Sequence, residues 1–109
     1  VWWGSRTECV SALSRRQRDR QLTAKTVRDA RRVLQALAKS WAEVQPTESV
    51  RKSAERLLAV HPLRAADAMQ LAAALLWCRD DPEGHEFVCL DERLTAAAAR
   101  EGFEVLTKT

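Results

Sequence analysis

The segment "LRAADAMQLAAALLWC", residues 63–78, is apolar almost throughout and carries only two charged residues, Arg64 and Asp67. An apolar pattern on nearly every side predicts a helix in the interior of a domain. A lone carboxylate in such a helix is costly unless it is paired, neutralised or bound to a metal ion. Two explanations for Asp67 are therefore open: an ion pair with Arg64, or a role as a metal ligand.

The segments around this helix alternate between two kinds of pattern. Helices are predicted over residues 6–18, 23–41, 48–60, 63–79 and 91–101, where apolar residues recur at three- and four-residue spacing. Strands are predicted at the short apolar runs "VWW" (1–3), "AEVQP" (42–46), "FVCL" (87–90) and "FEVL" (103–106). Helices that alternate with strands in this way predict an α/β domain with a mainly parallel sheet.

Length and composition limit the class of protein. At 109 residues, 46% hydrophobic and 30% charged, the chain has the size and composition of one globular domain. The longest apolar run is well short of the roughly 20 residues that a membrane span requires. Three cysteines (Cys9, Cys78 and Cys89) without metal-ligand spacing predict reduced core thiols in a cytoplasmic protein. No contact with a membrane is expected.

Charge is distributed unevenly along the sequence. Residues 6–32 carry nine Lys or Arg against three acids, whereas residues 80–104 carry eight acids against two Arg. A basic region is compatible with phosphate binding, but it is equally compatible with the solvated face of a helix. Both interpretations stay open on the sequence.

Three acids lie at or near the start of predicted helices, and two of them, Glu8 and Asp91, follow predicted strands, where ligands bind in α/β proteins. Glu8 follows the first predicted strand, Asp67 opens the apolar helix, and Asp91 follows "FVCL" directly. Glu8 alone could simply complement a helix dipole, and Asp91 alone could be an N-cap. Together, carboxylates without His or Cys partners are the oxygen ligands that Mg²⁺ or Mn²⁺ prefers. Such ions promote hydrolysis of phosphodiesters, so the set predicts that chemistry.

Three stretches carry a resemblance to a known family: "TECVSAL" (7–13), "LRAADAMQLAAAL" (63–75) and "FVCLDERLTAAAAREGFEVL" (87–106). In this order they resemble the PIN-domain family, specifically the VapC-like toxins of bacterial toxin-antitoxin pairs. The resemblance implies a three-layer α/β/α fold and a magnesium-dependent endoribonuclease, usually a homodimer, inhibited by a cognate antitoxin protein. It also implies catalytic and metal-binding roles for Asp67 and Asp91, nearest the ion, and for Glu8, which would orient a metal-bound water or hold the ion through one.

The sequence departs from the family pattern in two places. The family's first strand, which lies in the centre of the sheet and ends in a catalytic Asp, has no counterpart here, and neither do the two helices after it. Residues 1–109 are therefore expected to form a single PIN-like domain, truncated at its N-terminus, that lacks the central strand and one acid. In addition, Cys89 stands two residues before Asp91, where the family often has Thr or Ser.

The missing strand motivates an alternative of a different class. In it the chain is a catalytically inactive, truncated PIN-like module that binds a partner or RNA. A nucleotide-binding domain is a weaker third possibility, because no glycine-rich loop follows either early strand.

Overall fold

The core of the chain forms around helix α4, Ala65–Trp77, in a computed structural model that describes residues 1–89 and 91–106. Ala68, Leu71 and Ala72 of this helix are fully buried, and Leu75 is almost so. These residues recur at three- and four-residue spacing, so they lie along one side of the helix. The segment that is most apolar in the sequence is therefore the centre of the hydrophobic core.

Helix α3, Glu48–Val60, packs against α4. It begins at Thr47, whose hydroxyl accepts a hydrogen bond from the Val50 backbone N–H, as an N-cap residue does. Its buried residues are Val50, Ala54 and Leu57, which fall on one face of the helix. This face closes one side of the core.

Helix α5, Glu92–Glu101, and two short strands, β1 (Glu86–Val88) and β2 (Glu104–Leu106), complete the core. The strands pair in parallel, with Phe87 opposite Val105, and the rings of Phe87 and Phe103 lie 5.5 Å apart. Gly102 ends α5 with φ of 109°, a left-handed conformation that glycine adopts without steric cost. A Cβ atom at Gly102 would also lie 3.0 Å from Pro82 Cγ, a tight contact that would require the proline ring to shift.

The contacts divide the chain into two compact units. The core described above belongs to the second, which comprises Trp2 and the described residues from Val44 onward. The first comprises Val1 and Trp3–Glu43 and contains a pair of packed helices, α1 (Ser5–Arg18) and α2 (Ala24–Ala38). Only Val27 and Leu34 are buried within these two helices. The assignment of residues 1–109 to one domain stays a prediction.

The predicted fold class, a three-layer α/β/α PIN-like fold with a mainly parallel sheet that lacks its central strand, is wrong. The described residues are mostly helical, with five helices and only the two short strands β1 and β2 in a sheet. The runs "VWW" and "AEVQP" contribute a single parallel bridge between Trp2 and Val44.

The local sequence explains why these two runs do not extend into strands. Gly4 is already the N-cap of α1, and Pro46, which has no N–H to donate, precedes the cap of α3 at Thr47. Each run thus leaves too few extended residues for a hydrogen-bonded ladder. Apolar surface is buried mainly by packing helix on helix instead.

Helix α4 is enclosed on all sides through its middle, where residues 68–75 are all buried or partly buried, but not at its C-terminal end. Its last residues, Leu76 and Trp77, are 38% and 63% exposed. The pattern that predicted an interior helix therefore holds for residues 68–75 and fails at the end of the helix. None of the helices in the described part of the chain combines the length and apolar character needed to cross a membrane.

A polar cluster joins the end of α5 to α3. Arg56 donates to both carboxylate oxygens of Glu101, at 2.8 and 3.5 Å, and His61 Nε2 lies 2.7 Å from Glu101 Oε2. The hydrogen bond from Arg56 is the main cause that lowers the pKa of Glu101; burial acts in the opposite direction and the bond to His61 reinforces the decrease. The His61 side chain is only 2% exposed, so this cluster fixes the end of α3 against the end of α5.

The lowered pKa of Glu101 predicts how stability depends on pH. A carboxyl group whose pKa is lowered by folding stabilises the protein above its ordinary pKa of 4.5, and this contribution is lost as the pH falls through the folded value. We expect Glu101→Gln to lower the free energy of unfolding by about 1–3 kcal/mol at pH 7, through loss of charged hydrogen bonds. The difference should shrink toward pH 3, as measured by urea denaturation at both values. Glu83→Gln, at an exposed loop position, is the control. If Glu101→Gln lowered the free energy of unfolding equally at pH 7 and pH 3, the ionised Glu101 carboxylate would not be the source of this stability.

Candidate functional site

Asp67 lies in the first turn of α4, at the margin of the core. The helix begins after Arg64, whose side chain makes no capping hydrogen bond. Asp67 is the acid in the first turn, near the positive end of the α4 dipole. Asp67 is partly buried, and burial is the main cause that raises its pKa. The negative charge of Asp91 raises the pKa further, while Arg64 acts in the opposite direction. Its carboxylate is thus held where its charge is unfavourable.

Asp91 is the N-cap of α5, as the sequence predicts. Its Oδ1 accepts a hydrogen bond of 2.9 Å from the Leu94 backbone N–H, and Leu94 is buried in the core. Its own backbone N–H donates to Cys89 Sγ at 3.2 Å. Cys89 is held in turn, because Thr95 Oγ1 donates to its carbonyl at 3.3 Å. Both the backbone and the carboxylate of Asp91 are therefore positioned by bonds to residues of its own segment.

The structure brings Asp67 and Asp91 together within the second unit. Each stands at the N-terminal end of a helix, α4 or α5, and their charges repel each other. The described residues contain no ion pair between Asp67 and Arg64, so Arg64 does not neutralise the pair by direct contact. Two neighbouring carboxylates whose charges repel also favour a shared cation, because a divalent ion would remove the repulsion.

Glu8 lies in the first turn of α1, in the first unit. Its side chain is exposed and its backbone N–H donates to the Gly4 carbonyl at 3.0 Å. Its position next to Asp67 and Asp91 stays a prediction. Across residues 1–89 and 91–106, no three His, Cys, Asp or Glu side chains form a group that could hold a metal ion. What the structure supports is a pair of carboxylates.

Sequence reasoning missed two polar arrangements. The cluster of Arg56, His61 and Glu101 has no signal in the sequence, because Glu101 lies 45 residues from Arg56 and 40 from His61 and the three share no motif. The bond between the Cys89 thiol and the Asp91 backbone was missed in a different way. The sequence identifies Cys89 as a departure from the family pattern but gives no sign that its thiol accepts a hydrogen bond from the Asp91 backbone N–H.

Comparisons with protein-family models, with curated proteins and with solved structures found no match for this chain. The resemblance to PIN domains therefore depends on the three sequence stretches alone.

The interaction between the two carboxylates can be tested directly. We expect Asp91→Asn to move the pKa of Asp67 down toward the usual range of an aspartate, without reaching it, because removal of one charge leaves the burial of Asp67 unchanged. The measurement is the titration of the Asp67 carboxyl carbon by NMR. Asp80→Asn, at an exposed position, should leave the titration where it is. No change in the Asp91→Asn protein would show that the two groups do not interact.

Proposed function

We propose that this protein is a metal-dependent endoribonuclease, similar to the VapC-like toxins of toxin-antitoxin pairs. The single observation that supports the proposal most is the interaction of Asp67 with Asp91, two carboxylates held at the N-terminal ends of two helices of one core. These are the acids that the stretches "LRAADAMQLAAAL" and "FVCLDERLTAAAAREGFEVL" share with the PIN-domain pattern.

The donor set fits Mg²⁺ or Mn²⁺. Protein-bound Mg²⁺ keeps several waters and uses one or two carboxylates together with substrate phosphates, so two aspartates are a sufficient protein contribution. When bound, such an ion supplies a Lewis acid and an activated water for phosphodiester hydrolysis. Asp67 and Asp91 would hold the ion and balance its charge. A role for Glu8 in orienting a metal-bound water is what the resemblance to PIN domains implies.

The scaffold contributes rigidity to this pair. Ala68, next to Asp67, and Leu94, whose backbone N–H donates to the Asp91 carboxylate, are both buried in the core. Because the neighbouring residue is fixed in the core, each carboxylate is already ordered before a substrate binds. No entropy has to be lost at that step to position it. The proposed partners are an RNA substrate, a cognate antitoxin protein and a second copy of the chain. The proposed compartment is the cytoplasm, in agreement with three free cysteines.

A second candidate is a catalytically inactive PIN-like module that binds RNA or a partner protein. It is favoured by one observation, the lack of a group of three metal-ligating side chains in the described residues. Two carboxylates hold a divalent ion more weakly than three or four. The alternative therefore predicts a protein that binds RNA in the absence of metal and does not cut it.

Cleavage of a labelled RNA tests the proposal. With Mg²⁺ or Mn²⁺ present we expect cleavage that EDTA abolishes, and a rate at least about a hundredfold lower in Asp67→Asn and in Asp91→Asn, since each removes a ligand of an ion worth several kcal/mol to the transition state. Asp81→Asn, which removes an exposed acid elsewhere, is the matched control. Cleavage that persists in EDTA, or full activity in Asp91→Asn, would refute a metal-dependent mechanism. Binding of RNA without cleavage under every condition would establish the alternative.

A further inference from the structure

Helix α2 presents a line of cations to solvent on the side opposite its buried residues. Val27 and Leu34 are buried, whereas Lys25, Arg28 and Arg32 are exposed. Positions 25, 28 and 32 follow the three- and four-residue spacing of one helix face. We call Lys25, Arg28 and Arg32 the basic stripe. It lies within residues 15–32, which contain seven Arg and one Lys against two Asp.

The basic stripe is unfavourable for the helix that carries it. Lys25 and Arg28 lie near the N-terminal, positive end of the α2 dipole, and the first turn contains no acid. Arg28 and Arg32 are four residues apart, a spacing at which like charges on a helix repel. By contrast, Arg15, Arg16 and Arg18 occupy the last turn of α1, where the dipole favours them. Helix stability explains the arginines of α1 and not those of α2.

Neighbouring carboxylates compensate little of this charge. In the part of the chain that the structure describes, the one ion pair on α2 joins Lys25 to Asp29 at 3.4 Å, between side chains 80% and 53% exposed. An exposed pair of this kind contributes little. Neither Arg28 nor Arg32 forms an ion pair within the described residues. The stripe therefore carries positive charge that the fold itself leaves unbalanced.

We propose that the basic stripe of α2 binds the phosphate backbone of RNA. The seven residue steps from Lys25 to Arg32 rise about 10 Å along the helix, close to three nucleotide steps of a stacked strand at roughly 3.4 Å each. Arginine predominates in this region, and its planar guanidinium matches phosphate oxygens in a paired geometry that lysine cannot reproduce. The choice of RNA rests on the proposed function, but the stripe itself requires only a polyanion with this repeat.

The test is the binding of a fluorescein-labelled 20-nucleotide oligouridylate, measured by anisotropy in EDTA so that no cleavage occurs. We expect the Arg28→Gln, Arg32→Gln double variant to bind roughly tenfold more weakly at 0.1 M salt, and to lower the slope of log affinity against log salt by about 1.4. The matched control is Arg51→Gln, Lys52→Gln, which removes the same charge from exposed positions of α3. The control should change the affinity less than twofold.

Misfolding cannot imitate this result, because the α2 substitutions are exposed and relieve repulsion. The double variant should unfold at the same or a higher temperature than the parent chain. Equal losses of affinity in both double variants would show that the loss depends only on the net charge of the protein, and would overturn the proposal. Binding of a length-matched polyglutamate with the same affinity and salt slope would also overturn it, in favour of an acidic protein partner.

The two proposals can fail separately. A chain that binds oligouridylate through the basic stripe and never cuts RNA supports this inference and refutes the proposed nuclease. A chain that cuts RNA with unchanged binding in the Arg28→Gln, Arg32→Gln variant does the reverse.

Discussion

The close packing of α4 against α3 and α5 is the constraint on which the second unit depends. The side chains of α4 at this contact include Ala68 and Ala72, which are fully buried and small enough for helices to approach closely. Because Ala68 points into the core, Asp67, one residue earlier, is held at its margin. Because Leu94 anchors the first turn of α5 in the same core, Asp91 is fixed at the start of that helix. One packing arrangement thus positions both acids.

The same arrangement places charge where it is unfavourable. Asp67 has a raised pKa because it is partly buried and because it faces Asp91. At the other end of α5, Glu101 has a lowered pKa, mainly because Arg56 donates hydrogen bonds to its carboxylate. The hydrogen bond between His61 and the same carboxylate adds to the decrease. The first carboxylate lacks a direct cationic partner in the described residues and the second has one. The core therefore tolerates an unfavourable charge near the start of α5 and pairs the charge at its end.

The sequence predicted the helices well and the sheet poorly. Periodic apolar residues and the caps Thr23, Thr47 and Asp91 act within a single turn, so they can be read locally. A strand depends on a neighbour that the local sequence does not specify, and "VWW" found only one bridge to Val44. For the candidate site, the pairing of Asp67 with Asp91 was predicted. The bond from Asp91 to the Cys89 thiol and the Glu101 cluster were not, because they depend on tertiary geometry.

The contact between Gly102 and Pro82 has a consequence for how the chain can vary. The glycine turns the chain from α5 into β2, and the proline ring fills the space that a side chain at position 102 would need. A larger residue at 102 would meet a steric clash and an unfavourable backbone conformation together. In a family of related sequences, substitution at position 102 is therefore expected to be rare, and to coincide with loss of the proline ring at position 82.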